Sequence, residues 1–306
     1  MTNALPLLPL SVDSDNIATL TLDQPGKPVV VLDHELIRRL EATLREVPRS
    51  IAGLILNSAS SRVFVAGADL KAISELTDDQ LHAYLKYGSK VFLMLSDLPC
   101  PTVAAINGAA LGGGLEIAMH CDGLVAAPPG PGKDGAPGKP YPIGLPEAGL
   151  AICPGWGGTN LLPARIDPAL AISQTATGKP MLFDQAKDAG LFDAVAPSQE
   201  QLLHTAKAWL QTQRQKPMAN RDGAPLRWIG RVSPAQVLKG LERVKPEIPP
   251  APPAAAVIDA VEVGLAQGWD MALECERKHL VRLRNSPAGK AAIGAFLAKA
   301  AAPKPA

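Results

Sequence analysis

The sequence lacks the excess of positive charge that binding to nucleic acid or to an anionic membrane surface requires. Its 306 residues carry a formal net charge of +1, and the basic residues are scattered along the chain. Aromatic side chains that could stack on bases are also scarce: there are four tryptophans, three tyrosines and five phenylalanines. We therefore expect neither nucleic acid nor a membrane among the partners.

Metal-binding and disulfide-forming patterns are missing as well. The five histidines are isolated from one another and show no HExxH spacing, so we expect no metal site. The four cysteines, Cys100, Cys121, Cys153 and Cys275, form no CxxC pair. The amino terminus shows no basic region followed by a long apolar run, so we expect no secretion signal. These features predict reduced thiols in a cytoplasmic protein.

One uncharged stretch, residues 98–115, is about as long as a short membrane-spanning helix. It contains Pro99, Pro101 and four glycines, which suit a buried strand, a turn and the start of a helix better than a continuous helix. We therefore predict that this stretch is part of a folded core.

Short apolar runs of strand length alternate with amphipathic segments in the first two thirds of the chain. Strands are predicted at residues 17–22, 51–56, 103–106 and 124–127, and a short strand or strand-like segment at 29–32. Helices are predicted at 35–44, 78–95 and 113–120. Asp33 precedes the first helix as a candidate N-cap. Strands that are buried on both faces have continuous apolar sequences, so this pattern predicts an α/β fold with both faces of the sheet covered.

The later part of the chain has mainly helical periodicity from residue 168 onward. We predict a catalytic core over residues 1–200 and a helical C-terminal extension over residues 201–306. Within the extension, the Pro/Ala-rich segment 246–256 is typical of a stiff linker, and residues 301–306 are predicted to fray.

Two glutamates, Glu116 and Glu147, stand in glycine- and proline-rich frames that are otherwise almost free of charge. An apolar setting disfavours the charged form of a carboxyl group, so the pKa rises toward the range where the group exchanges protons at neutral pH. Two such groups facing one substrate could act as an acid and a base. This pair indicates an enzyme.

Two glycine-rich segments are candidates for binding through backbone groups. The triplet Gly112-Gly113-Gly114 follows a predicted strand and precedes a helix, where bare N–H groups could stabilise a carbonyl oxygen that gains negative charge. An ordinary tight turn explains these three glycines about equally well. The segment 64–70 has small residues before Asp69, a candidate helix cap, and taken alone it predicts a loop more readily than a site.

Taken together and in this order, four motifs resemble the enoyl-CoA hydratase/isomerase (crotonase) family. They are Val65-Ala66-Gly67-Ala68-Asp69-Leu70, the segment 104–116, Gly144-Leu145-Pro146-Glu147, and Pro154-Gly155-Trp156-Gly157-Gly158-Thr159. The resemblance covers roughly residues 15 to 200. Residues 64–73 and the helical extension are most similar to the hydratase half of multifunctional fatty-acid oxidation enzymes.

The resemblance implies a crotonase-like spiral of ββα units with a helical C-terminal region. It implies that the N–H groups of Ala68 and Gly113 form an oxyanion hole and that Glu116 and Glu147 hold the reacting water and handle its protons. The N–H of Gly155 would help to seat this water. The implied substrate-binding residues are Ala66, Gly67, Asp69, Leu70, Lys71 and Gly112.

The implied activity is hydration of 2-trans-enoyl-CoA in fatty-acid β-oxidation, with coenzyme A as part of the substrate and no separate cofactor. An isomerase that interconverts 3-enoyl-CoA and 2-enoyl-CoA is an alternative. That reaction needs only one carboxylate, so the presence of both glutamates favours hydration. A non-catalytic acyl-CoA-binding subunit is a second alternative. Expected partners are an acyl-CoA thioester and either further copies of the chain or a 3-hydroxyacyl-CoA dehydrogenase.

Two departures from the family pattern stand out. Val30 occupies a position where the family pattern has asparagine. A Pro/Gly-rich insertion, residues 128–142, lengthens the interval before Glu147 and is predicted to be a mobile loop beside the acyl pocket. Neither departure changes the two glutamates.

Overall fold

Two β-sheets form the centre of the computed structural model, which describes residues 5–132, 136, 138–214 and 225–301. The larger sheet has the strand order β1-β2-β3-β5-β7-β10 and is parallel except for the pairing of β1 with β2. Its strands are β1 (Leu10–Val12), β2 (Ile17–Leu22), β3 (Gly53–Ser58), β5 (Thr102–Ile106), β7 (Gly123–Ala126) and β10 (Ala194–Val195).

The smaller sheet has the order β4-β6-β8-β9 and holds the segments from which the candidate site is built. Its strands are β4 (Val63–Val65), β6 (Ala109–Leu111), β8 (Pro142–Gly144) and β9 (Met181–Leu182). The first three run parallel, and β9 pairs with β8 in the antiparallel direction. Because parallel strands end at the same edge of a sheet, the segments that follow β4, β6 and β8 are brought close together.

The first four helices follow these strands and begin at clear sequence signals. They are α1 (His34–Glu46), α2 (Leu70–Glu75), α3 (Asp78–Ser96) and α4 (Gly113–Met119). The Asp33 carboxylate caps α1 by accepting a hydrogen bond from Leu36 N at 2.7 Å, as predicted. The helix α4 starts directly after Gly112, whose φ of +52° is easily adopted only by glycine.

The remaining helices cover the sheets and continue to the end of the described chain. They are α5 (Gly158–Leu161), α6 (Pro168–Thr177), α7 (Phe183–Asp188), α8 (Leu202–Gln213), α9 (Pro225–Ile229), α10 (Pro234–Val244), α11 (Pro252–Gln267), α12 (Trp269–Arg284) and α13 (Pro287–Ala301). Helix α8 packs on β3, β5 and β7 of the larger sheet. Helix α12 packs on α3, and α13 packs on α2 and on a short 3-10 helix, Glu147–Leu150.

The predicted α/β class is confirmed, and the predicted strand at 17–22 coincides with β2. The apolar runs 51–56, 103–106 and 124–127 also fall on strands, and the predicted helices 35–44, 78–95 and 113–120 fall on α1, α3 and α4. None of the helices in the described ranges combines the length and the apolar character needed to cross a membrane.

Two local predictions hold only in part. Residues 29–32, predicted as a strand or a strand-like segment, contribute a single β-bridge between Leu32 and Ala68 and form no strand. The segment 246–256 was predicted as a linker, but α11 begins at Pro252, because proline suits the first helical turn and the alanines that follow favour a helix. Of the predicted mobile loop, residues 133–135 and 137 lie outside the described residues, as do residues 302–306 of the predicted frayed tail.

Candidate active site

A pocket lies where the segments after β4, β6 and β8 meet the C-terminal helices. Both predicted glutamates line it, and so do most of the predicted backbone groups. The lining residues are Ala66, Gly67, Ala68, Leu70, Ile73, Leu85, Leu111, Gly112, Gly113, Glu116, Pro146, Glu147, Leu150, Ile152, Cys153, Gly155, Trp156, Leu280 and Phe296. The two glutamates and most of the predicted backbone groups therefore lie around one cavity.

Glu116 lies on the first turn of α4 and is almost fully buried. Its Oε1 accepts hydrogen bonds from the backbone N–H groups of Trp156 and Gly158, both at 2.8 Å. Burial, followed by the negative charges of Glu276 and Glu147, raises the pKa of Glu116, while the two N–H donors act in the opposite direction. These donors fix the carboxyl group in one orientation at the pocket wall.

Glu147 is the first residue of the 3-10 helix that follows β8. Its Oε1 lies against Gly112, where an added Cβ would come within 2.5 Å of this oxygen. Its Oε2 is buried and has no hydrogen-bond partner among the described residues. Burial raises the pKa of Glu147 to about 8, and the charge of Glu276 contributes in the same direction. A buried carboxyl oxygen without a partner favours the protonated form at neutral pH.

The N–H groups of Ala68 and Gly113 are positioned by the segments after β4 and β6. Leu32 N donates to Gly67 O at 2.9 Å and Asp69 N donates to Leu32 O at 3.3 Å, so the neighbours of Ala68 are held by one strand-like segment. Gly113 opens α4, where the first N–H groups have no partner inside the helix. In the described part of the chain neither N–H has a hydrogen-bond acceptor. Both residues line the pocket, so the geometry can accommodate a developing oxyanion.

Gly155 and Trp156 also line the pocket. A Cβ on Gly155 would lie 2.9 Å from a methyl group of Leu280 and 3.0 Å from one of Leu85. The Trp156 indole is 1% exposed and donates from Nε1 to Leu85 O at 3.0 Å. This anchored ring closes one end of the cavity.

The predicted substrate-binding residues divide into two groups. Ala66, Gly67, Leu70 and Gly112 line the pocket. Asp69 and Lys71 are absent from its lining. The Asp69 carboxylate caps α2 by accepting from Lys71 N and Ala72 N, and the exposed Lys71 ammonium lies 3.9 Å from Glu75.

The C-terminal helices contribute residues that the sequence motifs did not indicate. Leu280 and Phe296, on α12 and α13, line the pocket. A third buried carboxyl group, Glu276 on α12, lies behind the turn at residues 156–159. Leu273, Glu276 and Leu280 are three and four residues apart and so share one helix face, which is the signal that could have identified Glu276 as buried.

His120 follows α4 and is fully buried, and its Nδ1 lies 2.8 Å from Glu116 O. Burial lowers the pKa of His120 to about 4, so the ring is neutral near pH 7. It does not line the pocket, and its burial makes it a core residue rather than a base.

Within the described ranges, one group of three side chains has the spacing of a metal site: Asp259, Cys275 and His279. It lies between α11 and α12, outside the pocket. His279 Nε2 is 2.7 Å from Asp259 Oδ2, and Arg282 Nη2 is 3.0 Å from His279 Nδ1. Because an arginine can only donate, Nδ1 is the acceptor and Nε2 carries the proton that meets Asp259. In this tautomer the ring offers no lone pair to a metal.

Comparison with known proteins places the chain in a family. The family model described as enoyl-CoA hydratase/isomerase matches residues 13–222. The human mitochondrial delta3-delta2-enoyl-CoA isomerase superposes with a TM-score of 0.68 at 22% identity, over 96% of this chain and 98% of that chain. An enoyl-CoA hydratase from Bacillus anthracis gives a TM-score of 0.57 at 26% identity, over 95% and 96%. One from Bacillus halodurans gives 0.66 at 22%, over 95% and 100%. These findings confirm the predicted crotonase-like fold.

Proposed function

This chain belongs to the enoyl-CoA hydratase/isomerase family, and we propose that it hydrates 2-trans-enoyl-CoA to 3-hydroxyacyl-CoA. The observation that carries the proposal is the convergence of two carboxyl groups, the buried Glu116 and the half-buried Glu147, with the N–H groups of Ala68 and Gly113 in one pocket. Hydration needs an acid, a base and a site for negative charge, and the pocket offers all three.

Negative charge develops on the thioester oxygen when water attacks C3 of the substrate. The oxygen of water forms a bond to C3, and the electron pair of the double bond moves through C2 to the thioester carbonyl, giving an enolate. The N–H groups of Ala68 and Gly113 stabilise this enolate oxygen. Loss of one such donor typically costs about 3–4 kcal/mol of transition-state stabilisation.

Proton transfers complete the addition. Glu116 takes a proton from the attacking water, and Glu147 gives a proton to C2 as the enolate collapses to the thioester. Burial raises the pKa of both carboxyl groups, so the division of roles rests on hydrogen bonding: two N–H groups donate to Glu116 and favour its carboxylate form, whereas Oε2 of Glu147 has no partner among the described residues. After product release one proton must pass from Glu116 back to Glu147, and we treat the pair as one titrating unit.

The lining of the pocket supports an acyl thioester as the substrate. Apolar side chains of Ile73, Leu150, Leu280 and Phe296 offer contacts to an acyl chain. The backbone of Ala66 and Gly67 borders the same cavity and could contact the coenzyme A part. We further propose that the reaction serves fatty-acid β-oxidation, with further copies of the chain or a 3-hydroxyacyl-CoA dehydrogenase as partners.

The isomerase reaction is the second candidate, since the family includes both activities and a human isomerase shares the fold. Moving a double bond from C3 to C2 requires one carboxylate that shuttles a proton. The presence of two carboxyl groups at one pocket favours hydration. Product analysis with purified protein and a 2-enoyl-CoA or a 3-enoyl-CoA ester separates the two activities.

Replacement of Glu147 tests the proposed mechanism. Glu147→Gln keeps the shape of the side chain but removes the proton that C2 receives, so we expect kcat to fall by at least about 10²-fold. Binding of a saturated acyl-CoA, measured by calorimetry, should stay within about threefold of wild type. The control Glu75→Gln removes an exposed carboxylate of α2 and should leave both quantities unchanged. Wild-type turnover by Glu147→Gln would refute the assigned site.

A further inference from the structure

Two buried carboxyl groups share four consecutive backbone N–H groups next to the pocket. The N–H groups of Trp156 and Gly158 donate to Glu116 Oε1, both at 2.8 Å. Those of Gly157 and Thr159 donate to Glu276, at 2.6 Å and 2.9 Å. The hydroxyl of Thr159 also contacts Glu276 Oε1 at 2.5 Å. The turn at residues 156–159 is therefore held from one side by α4 and from the other side by α12.

Gly157 gives this turn a backbone conformation that only glycine adopts easily. Gly157 has a φ of +100°, and an added Cβ would lie 2.1 Å from the ring of Trp269, the first residue of α12. The N–H groups of residues 156–159 donate alternately to Glu116 and to Glu276, so each carboxyl group accepts from one side of the turn. A buried N–H without an acceptor costs about 1–3 kcal/mol. Glu276 supplies the acceptors on the side away from the pocket.

We propose that Glu276 is a positioning residue for the reaction. It fixes the turn that presents the Gly155 N–H and the Glu116 carboxyl to the pocket, and its carboxylate, when ionised, acts on both Glu116 and Glu147 in the same direction. The inference rests on the proposed function, and it makes the C-terminal helical region part of the catalytic unit.

The ionisable groups around Glu276 come from several elements. Glu116 on α4 and Glu147 on the 3-10 helix face it as carboxyl groups, and Cys153 and Cys275 face it as thiols. Arg277, the next residue on α12, is the cation that acts on it. Burial raises the pKa of Glu276, and the three donors from Thr159 and Gly157 lower it. The charge of Glu276 raises the pKa values of both Glu116 and Glu147.

Glu276→Gln separates a positioning role from simple filling of space. The amide nitrogen cannot accept a hydrogen bond, so one donor of the turn loses its partner and the turn shifts. We expect kcat for a 2-enoyl-CoA to fall by on the order of 10²-fold, with KM within about threefold of wild type. Loss of the charge lowers the pKa values of both site carboxyls, so both limbs of the profile of kcat against pH should move to lower pH.

The conservative variant and a control on the same helix complete the test. Glu276→Asp keeps the charge but shortens the reach, so kcat should fall while the pH limbs stay at their wild-type positions. Glu274→Gln removes a partly exposed carboxylate that pairs with Arg277 and Lys278, and it should leave both kcat and the profile unchanged. If Glu276→Gln fails to fold by circular dichroism, the kcat of Glu276→Asp decides: a loss supports positioning and an unchanged value overturns it.

Failure of this inference is distinguishable from failure of the proposed function. A wild-type protein that is inactive on every enoyl-CoA would refute the function. An active wild type with unchanged kcat and pH limbs in Glu276→Gln would overturn the role of Glu276. NMR titration of carbon-labelled glutamates gives a reading that needs no turnover. We expect the pKa of Glu147 to fall in Glu276→Gln, and an unchanged value would contradict the proposed effect of the charge.

Discussion

The protonation of Glu147 predicts how the stability of the protein depends on pH. Burial raises the pKa of this carboxyl group from 4.5 to about 8 in the folded chain. Between these values the folded state binds one proton more than the unfolded state. The free energy of unfolding must therefore fall as pH rises through this window. The stabilisation that comes from protonated Glu147 is fully present only below the pKa that Glu147 has in the unfolded chain.

The size of this effect follows from the pKa difference. At about 1.4 kcal/mol per pKa unit, protonation of Glu147 changes the free energy of unfolding by at most roughly 5 kcal/mol across this pH window. Glu147→Gln cannot ionise, so it removes this dependence without changing the shape of the side chain. We expect the stability of the variant relative to wild type to increase steadily from about pH 5 to about pH 8.

Urea unfolding followed by circular dichroism at several pH values measures the effect. Wild type, Glu147→Gln and the exposed control Glu75→Gln are compared at equal ionic strength. Only Glu147→Gln should gain stability relative to wild type as pH rises. If its unfolding free energy runs parallel to that of wild type across the window, Glu147 is not protonated in the folded site, and its role as the acid fails.

Three further changes test the pocket and its walls. Gly113→Ala places a Cβ 2.4 Å from the Trp156 ring, so the N–H at the start of α4 moves and kcat should fall by about 10²–10³-fold. The control Gly294→Ala meets no atom within 4 Å and should leave kcat unchanged. Phe296→Ala removes an aromatic wall, and kcat/KM should fall more for long than for short acyl chains. Gly157→Ala is strained at φ +100° and should cost about 1–3 kcal/mol of unfolding free energy in urea; wild-type stability would contradict this.

Local sequence patterns predicted much of the core. Continuous apolar runs such as residues 103–106 become buried parallel strands, because both faces of the larger sheet are covered. The cap at Asp33 and the start of α4 at Gly113 are set by interactions within a few residues. Residues 29–32 show the limit of this approach: they are apolar and strand-like, yet the structure gives them one bridge to the loop after β4.

The residues of the candidate site that lie in short motifs could be predicted from the sequence. The residues that the C-terminal helices contribute could not. Glu116 and Glu147 stand in glycine- and proline-rich frames, the family resemblance implied Ala68 and Gly113, and the chain brings all four to one pocket. Glu276 is separated from its partner Thr159 by more than a hundred residues, and charged neighbours surround it in the sequence. The sequence sets Glu276 apart from its charged neighbours only by placing it on an apolar helix face. The pattern of that face does not predict which loop Glu276 contacts in the fold.

The most direct test of the proposed function is the fate of water in the reaction. Purified protein is incubated with a 2-trans-enoyl-CoA in water labelled with heavy oxygen, and the product is analysed by mass spectrometry. We predict a 3-hydroxyacyl-CoA that carries one labelled oxygen at C3. Recovery of the enoyl ester without label, under conditions where a 3-enoyl-CoA is converted to a 2-enoyl-CoA, would show that the protein is an isomerase and contradict hydration.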